Sequence, residues 1–197
     1  MNALILVIIL AIVEGITEFL PVSSTGHMIL VNKLIGGEYL SPTFTNSFLI
    51  IIQLGAILSV VVYFWKDLTP FVGTKEKFVL RFRLWVKIIV GVIPAMVIGL
   101  FLDDIIDKYF MDNVTTIAIT LIVYGIIFIA IEVIYKIKNI KARVRNFSDL
   151  KYSTAFLIGF FQCLAMIPGT SRSGATIIGA LLLGLSRPLA AEFSFYL

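Results

Sequence analysis

Long apolar runs separated by short polar segments make up most of this chain. Ala3–Val13 is apolar without a break and would form about 16 Å of helix, against a bilayer hydrocarbon core of about 30 Å. Three later segments are long enough to cross that core, and they run over Ser47–Trp65, Leu84–Leu102 and Val114–Tyr135. The pattern predicts an all-α polytopic membrane protein.

Two regions depart from this pattern, because each contains two apolar pieces that are too short to span. The pieces are Ala3–Val13 and Met28–Ile35 in the first region, and Thr154–Ile167 and Ala175–Leu185 in the second. The polar segment between them contains a proline, serines and a glycine in both cases. Proline disfavours helical conformation in the preceding residue, and Ser and Thr are common helix N-caps, so each region is predicted to form helix, break, helix.

Composition and charge support this class and orient the segments. The 197 residues are 59% apolar with a mean hydropathy of +1.03, which excludes a soluble domain of ordinary composition. Basic residues concentrate in two loops, Lys66–Lys87 and Lys136–Lys151, which the positive-inside rule places in the cytoplasm. The segments Gly36–Thr43 and Asp103–Asp112 are then outside. The net charge of +4 is explained by topology in this interpretation, and we expect no nucleic-acid partner.

The two interrupted regions resemble each other in inverted orientation. Pro21 and Pro168 lie 147 positions apart (168 − 21), and three predicted spans separate the regions. The second region lies between Lys151 and Arg187, so both of its ends are predicted on the cytoplasmic side, as in a re-entrant hairpin. Inverted repeats place a site near the bilayer midplane where the repeats meet, with the N-termini of broken helices directed at anions.

The predicted fold is therefore an inverted-topology repeat with two re-entrant helix hairpins, in which the second repeat is truncated. A complete second copy would extend roughly 80 residues past Leu197, so we expect the sequence to be part of a longer protein. We expect residues 1–197 to form one integral membrane domain, with repeat 1 over about 1–135, a cytoplasmic loop over about 136–151 and a partial repeat 2 over about 152–197.

The first break concentrates polar groups in an apolar region. Glu14 and Glu18 are four residues apart and share one face of a helix. One acid at mid-membrane depth costs about 2.5–3.5 kcal/mol on insertion scales, so two acids at this depth indicate a function. The same segment also contains three hydroxyl groups and the chain's single histidine, at Ser23, Ser24, Thr25 and His27.

The second break adds a permanent cation, Arg172, whose planar guanidinium fits phosphate oxygens bidentately. A helix N-terminus at either break is also a ready anion site. A bound diphosphate of about −3, with Arg172, Glu14 and Glu18, gives a sum of −3 + 1 − 2 = −4. A divalent cation held by both glutamates resolves this charge, and Mg²⁺ is expected, with Ca²⁺ as the alternative.

The residues at the breaks can also carry the reaction steps of phosphate chemistry. Ser24 or Ser23 could attack phosphorus, and His27 could transfer protons near neutral pH. Structural interpretations remain open beside these: the serines are N-cap types, His27 could hydrogen-bond at an interface, and Arg172 could only neutralise the glutamates. For Gln53, an interhelical hydrogen bond is the first interpretation and substrate binding the second.

The two polar segments resemble the signature motifs of a known family. Glu-Gly-Ile-Thr-Glu-Phe-Leu-Pro-Val-Ser-Ser-Thr-Gly-His at 14–27 and Pro-Gly-Thr-Ser-Arg-Ser-Gly-Ala-Thr at 168–176 are similar to those of the undecaprenyl-diphosphate phosphatases, also called the BacA bacitracin-resistance family. Gln-Leu-Gly-Ala-Ile-Leu at 53–58 and Glu-Phe-Ser-Phe at 192–195 fit the same family. The resemblance covers essentially the whole chain, although family members are longer.

The resemblance implies a role for each matching residue. Glu14 and Glu18 match the acidic pair that would hold a divalent metal, Ser24 the nucleophile, His27 the motif histidine, and Ser171 and Arg172 the phosphate-binding pair. The further residues expected to bind substrate are Ser23, Thr25, Gln53, Ser171, Ser173 and Thr176.

The resemblance also implies an activity and a location. The expected function is hydrolysis of a C55 isoprenoid diphosphate to the monophosphate and phosphate, which recycles a lipid carrier for cell-wall synthesis. The expected location is the bacterial cell membrane, with several spans, an active site open to the outer side, and the polyprenyl diphosphate and bilayer as partners. A homodimer is left open. The alternative function is a transporter or flippase for a phosphorylated lipid or anion, which an inverted repeat also suits.

Overall fold

A computed structural model describes residues 3–35, 42–71, 73–110 and 114–197, and these residues are almost entirely helical. The α-helices in chain order are α1 (Ala3–Thr17), α2 (Ser24–Ile35), α3 (Pro42–Tyr63), α4 (Trp65–Leu68), α5 (Lys75–Phe110), α6 (Val114–Ile137), α7 (Tyr152–Cys163), α8 (Arg172–Leu182) and α9 (Arg187–Tyr196). Short 3-10 turns at Phe147–Asp149 and Leu164–Met166 flank α7.

Two of the described helices are long and apolar enough to cross a membrane, over Lys75–Leu102 in α5 and Thr115–Ile137 in α6. Their apolar side chains are largely uncovered by the protein, and residues such as Ile122 and Ile129 of α6 are more than 60% exposed. Apolar surface of this extent is stable only against lipid or another protein. The chain is therefore an all-helical membrane protein, as the hydrophobic pattern predicts.

The helix boundaries correct two details of that prediction. Helix α5 begins at Lys75, so the basic segment predicted as a loop up to Lys87 is helical from Lys75 onward. Thr74 precedes the helix and its carbonyl accepts from the Phe78 amide, and no Gly or Pro occurs between Lys75 and Lys87. The backbone of α5 also continues to Phe110, through most of the predicted acidic loop.

Other predicted segments fall partly outside the described residues. The predicted outer loop over 36–43 is described only from Pro42, where α3 begins, and residues 111–113 of the acidic segment are outside as well. Helix α3 has 22 residues and is about 33 Å long. Its described apolar part, Ser47–Tyr63, is shorter than the two spans in α5 and α6.

Helices α5 and α7 form the tightest contact in the fold. A Cβ at Gly159 would lie 2.1 Å from the carbonyl oxygen of Gly91 and 2.9 Å from the Pro94 ring. Pro94 lacks an amide N–H and Gly159 lacks a side chain, so the two backbones meet with little between them. The buried core continues from this contact through Ile158 and Phe193.

The basic segment after α6 is bound to the turn between α8 and α9. Val144 and Leu185 form an isolated parallel bridge, the Ser186 amide donates to the Val144 carbonyl at 2.9 Å, and the Arg143 amide donates to the Gly184 carbonyl at 2.8 Å. On the same segment, Lys87 of α5 donates to the Phe147 carbonyl. The chain therefore enters α7 and leaves α8 at the same end of the fold.

Helices α1 and α2 form a second hairpin with its own small core. Leu6, Leu10 and Met28 are fully buried between them. Helix α1 continues through Glu14 to Thr17, and the chain then turns over residues 18–22 before α2 begins at Ser24. The helix, break, helix pattern predicted for both interrupted regions is confirmed.

The α5–α7 contact predicts a sharp difference between two glycines. We expect Gly159→Ala to lower the unfolding free energy by about 1–3 kcal/mol or more, because the new methyl group overlaps backbone atoms that cannot move easily. The control is Gly125→Ala in α6, where nothing lies within 4 Å of an added Cβ. Thermal unfolding in one detergent measures both, and equal midpoints would contradict the contact.

Candidate active site

The two breaks face each other across a polar cavity of about 200 Å³. Residues from both breaks and from α3 surround it, although more than 140 positions separate the breaks in sequence. The lining side chains are Thr17, Glu18, Leu20, Ser23, Ser24, Thr25, Gln53, Ile57, Ala165, Thr170, Ser171, Arg172 and Ser173.

The first break is shaped by Ser23, whose φ of 64° is rare for a residue with a side chain. Its backbone carbonyl accepts from the amide of His27 at 3.1 Å, and its Oγ accepts from the amide of Gly26 at 3.3 Å. Ser23 therefore caps α2 with both its backbone and its side chain. The left-handed conformation turns the chain sharply and brings Ser24 to the start of α2.

The second break is shaped by Gly169 and Ser171. Gly169 has a φ of +87°, and a Cβ there would lie 2.1 Å from Thr120 Oγ1, so only glycine fits. The Thr120 hydroxyl oxygen lies 2.9 Å from the Pro168 carbonyl oxygen, which is within hydrogen-bond distance. Ser171 is the N-cap of α8, and its Oγ accepts from the Gly174 amide at 3.0 Å.

Close packing brings the two breaks into direct contact. A Cβ at Gly174 would lie 3.3 Å from the Pro21 carbonyl oxygen and 3.1 Å from the ring of Phe128. A larger residue at this position would therefore press the first turn of α8 away from the first break. The glycine sets the distance across which side chains of the two breaks can interact.

Glu18, Ser24 and Arg172 interact directly at the centre of the cavity. The Ser24 hydroxyl donates a short hydrogen bond to one carboxylate oxygen of Glu18. The Arg172 guanidinium donates to the other oxygen at 3.3 Å, which joins the two breaks by an ion pair. The Arg172 side chain is still 48% exposed, so most of its donors remain available to a ligand.

Glu14 lies one turn before Glu18 and is almost fully buried, with 1% of its surface exposed. Neither of its carboxylate oxygens has a hydrogen-bond partner among the described residues. A buried carboxylate without a partner is costly, so its position indicates either a bound proton or a cation. No group of three or more His, Cys, Asp and Glu side chains forms a metal site within the described part of the chain.

The donor set nevertheless fits a divalent cation that is shared with a phosphate ligand. Mg²⁺ typically binds proteins through one or two carboxylates and takes its remaining ligands from water and substrate phosphates. Glu14 and Glu18 provide two carboxylates one turn apart, of which only Glu18 lines the cavity, while Glu14 is buried and has no partner for either oxygen among the described residues. The two residues predicted as metal ligands would hold such an ion.

His27 lies next to the first break and outside the cavity lining. Its ring nitrogen Nδ1 lies 2.8 Å from the backbone carbonyl oxygen of Ser23. A carbonyl only accepts hydrogen bonds, so Nδ1 is the donor in this contact. This contact holds the ring against the turn at Ser23. Nδ1 therefore does not form the contact with the cavity that is expected of a residue that transfers protons there.

The remaining predicted binding residues divide into two groups. Thr25 and Gln53 line the cavity and bond each other, with Gln53 Nε2 donating to Thr25 Oγ1 at 3.1 Å. This is the interhelical hydrogen bond predicted as the first interpretation of Gln53, and it leaves the side chain at the cavity wall. Thr176 does not reach the cavity, because it is fully buried against Ser194 of α9.

Sequence reasoning missed two polar residues of the lining, Thr17 and Thr170. Thr17 occupies the last position of α1, where its hydroxyl bonds the Val13 carbonyl at 2.6 Å. Thr170 lies in the second break, and its buried hydroxyl has no partner among the described residues. Thr17 and Thr170 could have been identified from the sequence, because they lie in the same two polar segments as the predicted site residues.

An apolar cavity of about 260 Å³ adjoins the polar one. Glu18, Arg172 and Ser173 belong to both linings, so the charged pair stands at the boundary between the two cavities. The far walls are formed mainly by apolar side chains, which include Phe19, Val60, Val61, Leu68, Trp85 and Phe195.

Comparison with known proteins finds relatives that share most of this chain. The undecaprenyl-diphosphatase of Fusobacterium nucleatum subsp. nucleatum is 84% identical over 192 residues, which cover 98% of this chain and 72% of the relative. Undecaprenyl-diphosphatase 1 of Clostridioides difficile is 54% identical, over 96% of this chain and 68% of its own. The undecaprenyl-diphosphatase of Enterococcus faecalis is 49% identical, over 97% and 69%. The family described as bacitracin resistance protein BacA matches residues 7–197, and the chain belongs to this family.

Proposed function

We propose that the protein is an undecaprenyl-diphosphatase, which hydrolyses the C55 isoprenoid diphosphate to the monophosphate and inorganic phosphate. The family and the names of its relatives carry this conclusion, and the joined cavities are the structural observation that supports it. In this assignment the reaction returns a lipid carrier to cell-wall synthesis and accounts for bacitracin resistance.

The joined cavities suit a substrate with one charged end and one hydrocarbon chain. The polar cavity offers Arg172 and the first turn of α8, where the N–H groups of Arg172 and Ser173 precede the first intrahelical hydrogen bonds. The adjoining cavity offers apolar walls. A diphosphate therefore fits on the side of the two breaks, and the first isoprene units fit on the other side of the Glu18–Arg172 pair.

Ser24 is proposed as the nucleophile and Glu18 as its base. The existing hydrogen bond lets Glu18 accept the Ser24 proton as Oγ attacks the terminal phosphorus. The P–O bond to the inner phosphate breaks, and the lipid monophosphate leaves with the electron pair of that bond. Water then hydrolyses the phosphoserine, releases phosphate and restores the hydroxyl. In this proposal Glu18 replaces His27 in the transfer of the nucleophile's proton.

Glu14 and Glu18 are proposed as ligands of a divalent cation, Mg²⁺ by its preference for carboxylate and phosphate oxygen. Such an ion would neutralise phosphate charge and polarise the phosphorus that is attacked. The buried carboxylate of Glu14 is the observation in favour, because it has no partner among the described groups. Arg172 would bind phosphate oxygens with the donors that Glu18 does not use.

The inverted repeat remains a proposal that the local geometry supports. Ser23 and Ser171 cap α2 and α8 in the same way, each accepting from the amide of a glycine three residues later. The spacing from Ser23 to Ser171 is 171 − 23 = 148, and the spacing from Gly26 to Gly174 is also 174 − 26 = 148. We propose that the α1–α2 and α7–α8 hairpins are re-entrant copies within one membrane domain.

The same repeat suits a transporter or flippase of a phosphorylated lipid, which is the second candidate. Phosphate release by purified protein in detergent separates the two, since no second compartment exists there. For location we propose a multi-pass protein of the bacterial cell membrane, with the basic loops in the cytoplasm and the active site open to the outer side.

The topology predicts which engineered cysteines an outside reagent reaches. With Cys163 replaced by alanine, a cysteine at Lys141 should be shielded from an impermeant thiol reagent in intact cells, and a cysteine at Asp112 should react. Permeabilised cells give the control labelling of both positions. The reverse pattern would contradict the proposed orientation.

If Arg172 binds phosphate with its planar fork, another positively charged side chain should not replace it. Arg172→Lys keeps the charge and loses the planar fork, so kcat/KM should fall by about tenfold or more, and Arg172→Ala should lose about a hundredfold or more. Both variants should unfold near the wild-type temperature. A stable Arg172→Lys protein with wild-type kcat/KM would show that the residue only neutralises Glu18.

The proposed metal site predicts a loss of activity with chelation. Glu14→Gln and Glu18→Gln keep the side-chain shape and remove one charge each, so each should lose at least about a hundredfold in kcat/KM and require more Mg²⁺ for its residual rate. Exchange of Mg²⁺ for EDTA should abolish wild-type phosphate release. Full activity in EDTA would exclude the divalent cation.

A further inference from the structure

Two buried hydroxyl groups link the first turn of α8 to α9. Thr176 of α8 is 0% exposed and Ser194 of α9 is 4% exposed, and their oxygens are 2.5 Å apart. The Thr176 hydroxyl also lies 2.9 Å from the Arg172 carbonyl oxygen and 3.1 Å from that of Ser173. The proposed mechanism uses neither hydroxyl, yet both contact the turn that carries its phosphate-binding arginine.

The donors and acceptors in this cluster define the direction of its hydrogen bonds. Each hydroxyl has one proton, and the carbonyl oxygens only accept. If Ser194 donates to Thr176, then Thr176 can donate to the Arg172 carbonyl at 2.9 Å. If Thr176 instead donates to Ser194, the Ser194 proton is left with the Ser173 carbonyl oxygen as its acceptor, at the longer distance of 3.4 Å. The shorter bonds therefore favour a chain from Ser194 through Thr176 to the Arg172 carbonyl.

This chain fixes the backbone from which the Arg172 side chain extends. The other end of that turn is held by the Ser171 cap and by the contact of Gly174 with Pro21. Without Ser194, one buried lone pair of Thr176 would lose its donor, and the first turn could shift relative to α9. The guanidinium, which is 48% exposed and held at 3.3 Å from Glu18, would shift with it.

We infer that Ser194 is a positioning residue for phosphate hydrolysis, acting through Thr176 on the first turn of α8 and so on Arg172. This inference rests on the proposed function for its catalytic consequence. It also changes the role of Thr176, which was expected to bind substrate. Neither residue lines the polar cavity, and Ser194 lies in the wall of the adjoining apolar cavity with 4% of its surface exposed, so neither hydroxyl is placed to bind the phosphates.

Steady-state kinetics with undecaprenyl diphosphate test the inference. Ser194→Ala and Thr176→Val each remove one hydroxyl with little change in volume, and each should lower kcat by about tenfold with KM within about twofold. Thr176→Ser keeps the hydroxyl and should retain at least about half of kcat. Combining Ser194→Ala with Thr176→Val should cost little more than either alone, because both remove the same chain.

Ser59→Ala is the control, because among the described residues this exposed hydroxyl bonds within α3, to the Ala56 carbonyl at 2.6 Å. It should keep wild-type kcat and KM. If Thr176 acts through packing alone, Thr176→Ser should lower kcat more than Thr176→Val does. The loss of kcat should then be larger in the variants with the lower unfolding temperature. That order, or wild-type kcat for Ser194→Ala, would overturn the inference.

Hydrogen exchange separates this inference from the proposed function. Ser194→Ala should speed amide exchange in the peptides over residues 171–176, and Ser59→Ala should not. Unchanged exchange in that turn would overturn the positioning role even if activity fell. If the wild-type protein releases no phosphate, the proposed function fails, while the exchange measurement still decides whether Ser194 holds α8.

Discussion

The ion pair between Glu18 and Arg172 is the interaction on which the site depends. It joins the end of α1 to the start of α8 across 154 positions of sequence, at 3.3 Å. The Arg172 side chain is 48% exposed and that of Glu18 23%, so the pair contributes little to stability and acts mainly by setting the distance between the two breaks. Because the pair is only partly buried, it stays open to a ligand that competes for the arginine. In the proposed function, the same contact that joins the breaks would also hold the arginine where a phosphate group can bind it.

The pair can form only because two helices stop within the apolar part of the fold. The helix that ends at a break leaves carbonyl groups without partners, and the helix that begins there leaves N–H groups without partners. At each break a serine caps the new helix and the chain turns sharply. At the first break the turn uses Ser23 in a left-handed conformation, and at the second it uses Gly169. The N–H groups that remain uncapped are then directed at the space between the breaks, which is where an anion binds most favourably.

The sequence was sufficient to predict both breaks, since Pro21 and Pro168 interrupt apolar runs and acids within such runs are rare. It was also sufficient to place Glu18, Ser24 and Arg172 in one site, because charged and hydroxyl side chains among apolar helices need hydrogen-bond or ion-pair partners. The start of α5 was predicted wrongly, since charges on a helix that extends beyond the membrane resemble a loop. The Thr176–Ser194 contact was beyond prediction, because two hydroxyls in separate helices give no periodic signal and meet only through packing.

The boundary position of the ion pair also bears on how a lipid diphosphate is recognised. An isoprenoid chain that leaves the bilayer for a protein cavity exchanges one apolar surrounding for another, so it gains little hydrophobic free energy. The apolar cavity of about 260 Å³ is also below the usual size of sites that enclose a drug-sized ligand, and most of a C55 chain must stay outside it. Affinity therefore has to come from the charged end. In the proposed function the apolar cavity would align the substrate, with its first isoprene units on one side of Glu18 and Arg172 and its phosphates on the other.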